Sequence, residues 1–232
     1  MTGGETSLTV LVGLAEEAEL LRDASRSWPK PPHILVGGGT TAAAERRAPG
    51  LLTEHPTSLL SFGYCGGLSS DLKPGDLVVA TEVIGQSDRR FSCDPALSRG
   101  LVESAEALEL TVRSGTLATP AEAAATPAAK RRLADTTGAL AVDLESAALA
   151  EVAVEANLPF AVIRAVLDDL GTTLPPFAIA AVDETSGRPR MTRLLLGLLR
   201  SPGDLPALVR LGRARAAAQA SLRRLLVRPL TA

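Results

Sequence analysis

The chain has 232 residues, 46% hydrophobic and 22% charged, with a formal net charge of −2. Apolar content at that level excludes a disordered chain, and two cysteines exclude a disulfide scaffold. Four Phe, one Tyr and one Trp on a near-neutral chain argue against a nucleic-acid binder built on stacking rings.

Short apolar runs that end at glycine alternate with longer helical patterns, the signature of an α/β fold. Leu8–Gly13 reads as a first buried strand and Glu16 to Ala24 as a helix with Ala18, Leu20 and Leu21 inside. His33–Val36 is a short strand running into Gly37-Gly38-Gly39, and a small-residue helix is expected from Thr41 to about Glu54. Leu59–Phe62 is a strand that ends in Gly63-Tyr64-Cys65-Gly66-Gly67. Asp71–Gly75 is a turn, and Asp76–Ile84 is a long strand. A polar loop at Gln86–Asp94 precedes a helix at Pro95–Leu108, a strand at Thr111–Gly115 and a mostly helical Ala121–Ala134. Ala139–Val142 is a strand, Glu145–Ala156 a helix and Phe160–Val166 a very apolar strand. A Pro-rich loop near Thr173–Phe177 leads to a basic helical tail broken at Ser201-Pro202-Gly203. With no internal repeat and no linker, residues 1–232 are expected to form one domain.

No run reaches the ~20 apolar residues of a membrane helix, and the opening residues lack the basic start of a signal peptide. A cytoplasmic, reduced protein with Cys65 and Cys93 as free thiols is therefore expected. His33 and His55 are the only histidines, too few for a Cys/His nucleophile pair or a zinc site, so no metal is expected.

Glycine clusters at strand ends lie where open α/β sheets bind ligands, because free backbone N–H groups meet in a crevice there. Tight turns without a ligand are the other reading of the same glycines. Neither run is a dinucleotide fingerprint or a Walker loop. Three carboxylates also fall at strand ends: Glu17 after the first strand, Glu145 at a helix start and Asp168 after the last strand. Converging there, they provide a raised-pKa acid and an ionised base. As charges at helix starts, Glu17 and Glu145 alternatively serve only the helix dipole.

The blocks Gly63-Tyr-Cys-Gly-Gly-Leu-Ser-Ser-Asp-Leu-Lys-Pro-Gly-Asp-Leu-Val-Val79, Ala141-Val-Asp-Leu-Glu-Ser-Ala-Ala148 and Phe160-Ala-Val-Ile-Arg-Ala-Val-Leu-Asp168 resemble the purine nucleoside phosphorylase and nucleosidase superfamily in order and spacing. Within it, Val12-Gly-Leu-Ala-Glu-Glu17, Ser61-Phe-Gly63, Thr137-Gly-Ala-Leu-Ala-Val-Asp143, Leu174-Pro-Pro176 and Arg200-Ser-Pro-Gly-Asp-Leu-Pro-Ala-Leu208 resemble the hopanoid-associated phosphorylases. The resemblance implies a three-layer α/β/α domain with a central mixed sheet that works as a homo-oligomer. It also implies release of adenine from a purine nucleoside, adenosylhopane above all, leaving a ribosyl hopanoid. A small soluble nucleoside such as methylthioadenosine is the alternative substrate, and a non-catalytic purine-binding protein the alternative of another class.

Under that resemblance Asp168 protonates purine N7, since a purine leaves poorly unless a general acid donates to it. Glu145 grips the ribose hydroxyls, Glu17 activates water, and Leu144 stands where the family carries methionine. Gly38, Gly66 and Gly67 bring backbone to the substrate, and Asp143 is a second polar contact. Asp169, beside Asp168, competes for the acid's role. No aromatic ring follows the Ser114-Gly115 turn, so the base contact is expected from Phe91 or Phe177, or from aliphatic packing in place of a ring. No cofactor is implied. Phosphate as co-substrate, held by Gly37–Thr41 with Arg46 or with Arg89 and Arg90, is the alternative to water, and the acid at Glu17 favours water.

From Arg188 onward the tail holds ten arginines and one acid, Asp204, or +9, while the first 187 residues carry −11. Leu205, Leu208, Val209, Gly212, Ala216, Ala220 and Leu222 form its expected apolar stripe, and Met191–Arg200 adds further leucines. Two readings stand: a basic amphipathic surface on anionic lipid at the inner membrane face, near a lipid-tailed substrate, or a closing helix packed on the sheet.

Overall fold

The computed structural model describes residues 7–183, 185–188 and 205–230, with 190, 192, 196, 200 and 203 between them. Eight strands form one mixed sheet: β1 (Leu8–Val12), β2 (His33–Val36), β3 (Ser58–Gly67), β4 (Leu77–Ile84), β5 (Arg90–Ser92), β6 (Val112–Ala118), β7 (Ala141–Val142) and β8 (Phe160–Asp168). The helices are α1 (Ala15–Ser25), α2 (Thr41–Arg47), α3 (Pro95–Glu106), α4 (Pro127–Thr137), α5 (Ser146–Glu155), α6 (Pro176–Ala180) and α7 (Leu205–Leu225).

Strand alternation divides the core. Val10, Val12, Leu60, Phe62, Ile163 and Ala165 pack with Leu20 and Leu21 of α1, Leu101 of α3 and Leu222 of α7. Leu11, Leu59, Val78, Val162 and Val166 pack on the opposite face with Ala44 of α2 and Leu149 of α5. Both sheet faces are covered, which explains the near-continuous apolar runs in these strands.

The topology leaves a gap that matters below. One edge of β3 pairs in parallel with β8 over its length, with a bulge between Cys65 and Gly66. The other edge pairs in parallel with β1 from Ser58 to Phe62 and then with antiparallel β7 at Gly66 and Gly67. Between those partners, Gly63–Cys65 has no strand on that side. Strand β7 continues through β6 and β4 back to β8, closing five strands into a ring.

Several boundaries differ from the sequence expectation. The chain stays in β3 through the glycine cluster, because β7 and β8 supply ladder partners that the local sequence cannot reveal. The helix from Thr41 becomes a 3-10 turn at Ala48–Leu52, where Pro49 removes a backbone donor. The loop Gln86–Asp94 contains β5, residues 121–125 are irregular, and α4 starts only at the Thr126 cap, whose hydroxyl accepts from the Ala129 N–H. Phe177 lies in α6 rather than in a loop.

Helix α7 packs on β8 through Ala218, Leu222 and Leu225, so its buried stripe is rotated from the expected one. Leu205 and Val209 are exposed, and Gly212, Ala216 and Ala220 also face out. The arginines meet the acidic body: Arg215 pairs with Glu16 of α1, and Arg188 with Glu19 at 2.5 Å. Most of Met191–Asp204, including the expected break, lies outside the described residues. No described helix is long and apolar enough to cross a membrane.

Candidate active site

The crevice at the β1/β7 gap is a cavity of about 230 Å³, and Glu17, Asp143, Glu145 and Asp168 all line it. Glu17 and Glu145 rest on glycines, while Asp168 lies at ordinary contact distance from one. A Cβ on Gly63 would fall 2.3 Å from Glu17 Oε1, one on Gly13 would fall 2.5 Å from Glu145 Oε1, and one on Gly66 would fall 3.4 Å from Asp168 Oδ2. Gly37 likewise clears the Glu145 side chain, with Cγ 3.2 Å from its would-be Cβ. The glycines make room for carboxylates, a role that neither the turn reading nor the ligand reading contained.

Glu17, in the first turn of α1, is buried and accepts two backbone N–H bonds, from Leu14 at 2.6 Å and from Tyr64 at 2.7 Å. Tyr64 N–H belongs to the stretch of β3 edge that lacks a strand, so the carboxylate occupies the vacant ladder position. Burial pushes the Glu17 pKa up, and Arg164 with the Leu14, Tyr64 and Gly13 N–H groups pulls it back. Gly63 also has φ +145°, a region L side chains rarely adopt. Gly63→Ala is therefore expected to cost about 1–3 kcal/mol and to displace Glu17, read as a lower urea midpoint together with lost turnover.

Glu145 precedes α5, but its side chain makes no capping bond; Asp143 Oδ1 accepts from the Ser146 N–H at 3.2 Å instead. The fully buried Arg164 holds both acids, with Nη2 at 2.7 Å from Asp143 and 3.3 Å from Glu145. That guanidinium also donates to Ser61 Oγ at 2.6 Å, and Thr119 Oγ1 donates to Asp143 at 2.7 Å. Asp143 is thus committed to the wall's own network.

Burial moves Glu145 from its ordinary 4.5 up to about 8, against Arg164, which lowers it. Folding then takes up a proton between those values. The stability that Glu145 contributes is present on the acid side and is lost as pH rises through about 8. Glu17 and Asp168 shift in the same direction. The expected result is a lower urea midpoint at pH 8.5 than at pH 6.5, measured by circular dichroism.

Asp168 ends β8 opposite Gly66 and forms a buried ion pair with Lys130 of α4. Burial raises its pKa, and Lys130 opposes the rise. Asp169 is turned away: its Oδ1 accepts from Gly171 N–H at 3.1 Å and from Thr172 Oγ1 at 2.7 Å. It does not line the cavity, whereas Asp168 does.

Leu144 and Gly66 line the cavity; Gly39 does so rather than Gly38, and Gly67 packs against Leu72 and the Asp168 backbone. Phe177 is not on the wall. Phe91 is buried in the core beside Ala147, with the Arg89 guanidinium 5.1 Å from its ring centre. Tyr64 is the aromatic residue among the described lining residues, and Val142, Leu167 and Leu174 supply apolar wall beside it. Arg89 and Arg90, considered for an anion, pair with Glu151 and Glu82 at 2.8 and 2.6 Å. Among the described residues, no group of three or more His, Cys, Asp or Glu side chains is arranged to hold a metal ion.

The closed five-strand ring contributes Asp168 from β8 to the crevice, and the starts of α1 and α5 bring Glu17 and Glu145 to it. Residues 30–200 match the Phosphorylase superfamily, and the chain belongs to it. The protein is thus an enzyme of nucleoside glycosidic-bond cleavage, as its sequence blocks implied.

Among solved structures, the 5′-methylthioadenosine/S-adenosylhomocysteine nucleosidase from Neisseria meningitidis with methylthio-immucillin-A is 19% identical, with 96% of this chain and 99% of that chain covered and a TM-score of 0.71. The Helicobacter pylori nucleosidase of the same name is 17% identical over 85% of this chain and 99% of that chain, with a TM-score of 0.68. Futalosine hydrolase of Helicobacter pylori is 17% identical over 84% and 98%, also with a TM-score of 0.68. At these identities the likeness is one of fold. No curated protein matches the chain. The narrower likeness to hopanoid-associated phosphorylases has no counterpart among these structures.

Proposed function

We propose that the protein is a nucleosidase that hydrolyses the N-glycosidic bond of an adenine nucleoside with a small apolar 5′ group, 5′-methylthioadenosine being the representative substrate. One observation carries this reading: Glu17, Glu145 and Asp168 face a single cavity of about 230 Å³ whose wall has no lysine or arginine among the described residues. With no cation among the described lining residues to neutralise a phosphate dianion, the wall suits water. The volume lies below the roughly 300–1,000 Å³ of sites for drug-sized ligands, which fits a nucleoside and not a fused-ring lipid.

In this mechanism Asp168 donates a proton to purine N7, and the N-glycosidic electron pair leaves with the base. Positive charge grows on the ribosyl carbon. Glu145 holds the ribose hydroxyls, and a nearby cation favours its ionised form, so the contact strengthens along the reaction. Against the backbone N–H groups of Leu14, Tyr64 and Gly13, the roughly four lone-pair sites of the Glu17 carboxylate leave one that positions water and takes its proton as the C–O bond forms.

Adenosylhopane is the second reading, favoured by one feature. Leu211 of α7 reaches the cavity wall, and Leu208, half-buried, and Leu205, exposed, continue from it along the helix as an apolar strip leading outward. A lipid tail would follow that strip toward a membrane surface.

The test is incubation of pure protein with methylthioadenosine or adenosylhopane, with and without phosphate, followed by product masses. Adenine and free methylthioribose, formed without phosphate, are expected. A ribose 1-phosphate product overturns hydrolysis, and turnover of adenosylhopane alone moves the assignment to the second reading.

A further inference from the structure

Twenty-one of the 24 basic residues are arginine and three are lysine. Lys30 and Lys73 are exposed; Lys130 is fully buried, although it opens the run Lys130-Arg131-Arg132. Its ammonium pairs with Asp168 and also donates to the Asp169 carbonyl at 2.5 Å. Its own backbone N–H bonds to Thr126 O at 2.9 Å, which places it one turn from the start of α4. A cation there sits at the unfavourable end of the helix dipole, so the helix gives no reason for it. An arginine would pair with Asp168 as a fixed charge. A lysine also exchanges its proton.

We propose that Lys130 and Asp168 act as one proton-donating unit, in which Asp168 touches the purine and Lys130 replaces the proton that Asp168 gives up. The inference rests on the nucleosidase reading and deepens it at the same carboxyl group. As the bond to the ribosyl carbon breaks, its electron pair goes to the purine and the Asp168 proton goes to N7. The Lys130 proton then moves to Asp168, leaving a neutral amine. Water loses a proton to Glu17 as it bonds to the sugar. Glu17 afterwards releases that proton to solvent, and the Lys130–Asp168 pair regains one through the open cavity, so protons balance over the cycle.

Lys130 is a positioning residue, since it acts through Asp168. The groups bearing on Asp168 are Lys130 from α4 and Asp169 on its own segment; Cys65 on β3 is affected by both members of the pair and by Arg164 and Asp143. Of these, only the Lys130 ammonium is bonded to the Asp168 carboxylate.

The test compares Lys130→Met and Lys130→Arg with the parent protein on two substrates, methylthioadenosine and 4-nitrophenyl β-D-ribofuranoside, whose nitrophenolate leaves without protonation. Lys130→Met is expected to lose about 10²-fold in kcat/KM on methylthioadenosine. On the nitrophenyl riboside it should stay within about threefold of the parent. Its alkaline limb on methylthioadenosine should move to higher pH, because the ammonium no longer opposes the rise in the Asp168 pKa. Lys130→Arg keeps the charge and serves as the variant that folds if Met does not; it is expected to show the same substrate-selective loss. Full activity in Lys130→Arg, or equal losses on both substrates, overturns the relay while leaving the nucleosidase reading intact. If the parent protein cleaves neither substrate, the reading fails and the relay falls with it.

Discussion

Asp168→Asn is expected to lower kcat/KM for adenine release by about 10³-fold, the middle of the range for losing a positioned general acid. Asn keeps the volume and a hydrogen-bonding head at the end of β8, so the cavity should survive. What disappears is a proton that can pass to the departing base. The substitution also leaves the Lys130 ammonium without its carboxylate in a fully buried place, which adds a stability cost. Rates should therefore be compared at a temperature well below the melting transition of the variant, with folding checked by near-UV circular dichroism. An activity within threefold of the parent would remove Asp168 from the acid's role, since no other described carboxylate lines that end of the crevice beside Gly66.

Arg164→Met should act chiefly on stability. Arg164 contacts Asp143 and Glu145 directly, and its charge also bears on Glu17. Removing the cation leaves buried carboxylates facing one another, and loss of one partner from a buried ionic network costs about 3–5 kcal/mol. The remedy available to the protein is protonation. The deficit measured by urea unfolding should thus shrink as pH falls from 8 toward 6 and the acids become neutral. A deficit independent of pH would mean that packing around the side chain, rather than its charge, was lost.

The three acids were legible because each sits beside a strand end, a position that sequence patterning marks well. Their partners were not. Arg164 lies in the middle of Phe160–Asp168, where alternation says only that a side chain faces one side of the sheet. Its use depends on Ser61, Asp143 and Ser146 arriving from three other elements. Lys130 opens a run of three consecutive cations, Lys130-Arg131-Arg132, and nothing in that run marks which of them the docking of α4 turns toward Asp168. The tail's apolar stripe left open whether it faced lipid or the sheet; packing on β8 takes Ala218, Leu222 and Leu225 and leaves Leu205 and Val209 outside. Phe91 and Phe177 were chosen for their rings alone. Neither reaches the wall: Phe91 packs into the core from β5, and Phe177 lies in α6, two elements that the sequence pattern did not mark.

The interruption along β3 sets stability against catalysis in this protein. Were β1 a few residues longer, the unzipped stretch from Gly63 to Cys65 would gain a neighbouring chain, and Tyr64 would find an ordinary amide partner. The sheet would be sturdier and the pocket would close. The enzyme works in a seam its own ladder leaves unsewn, and selection for thermal robustness would be expected to press hardest against that opening.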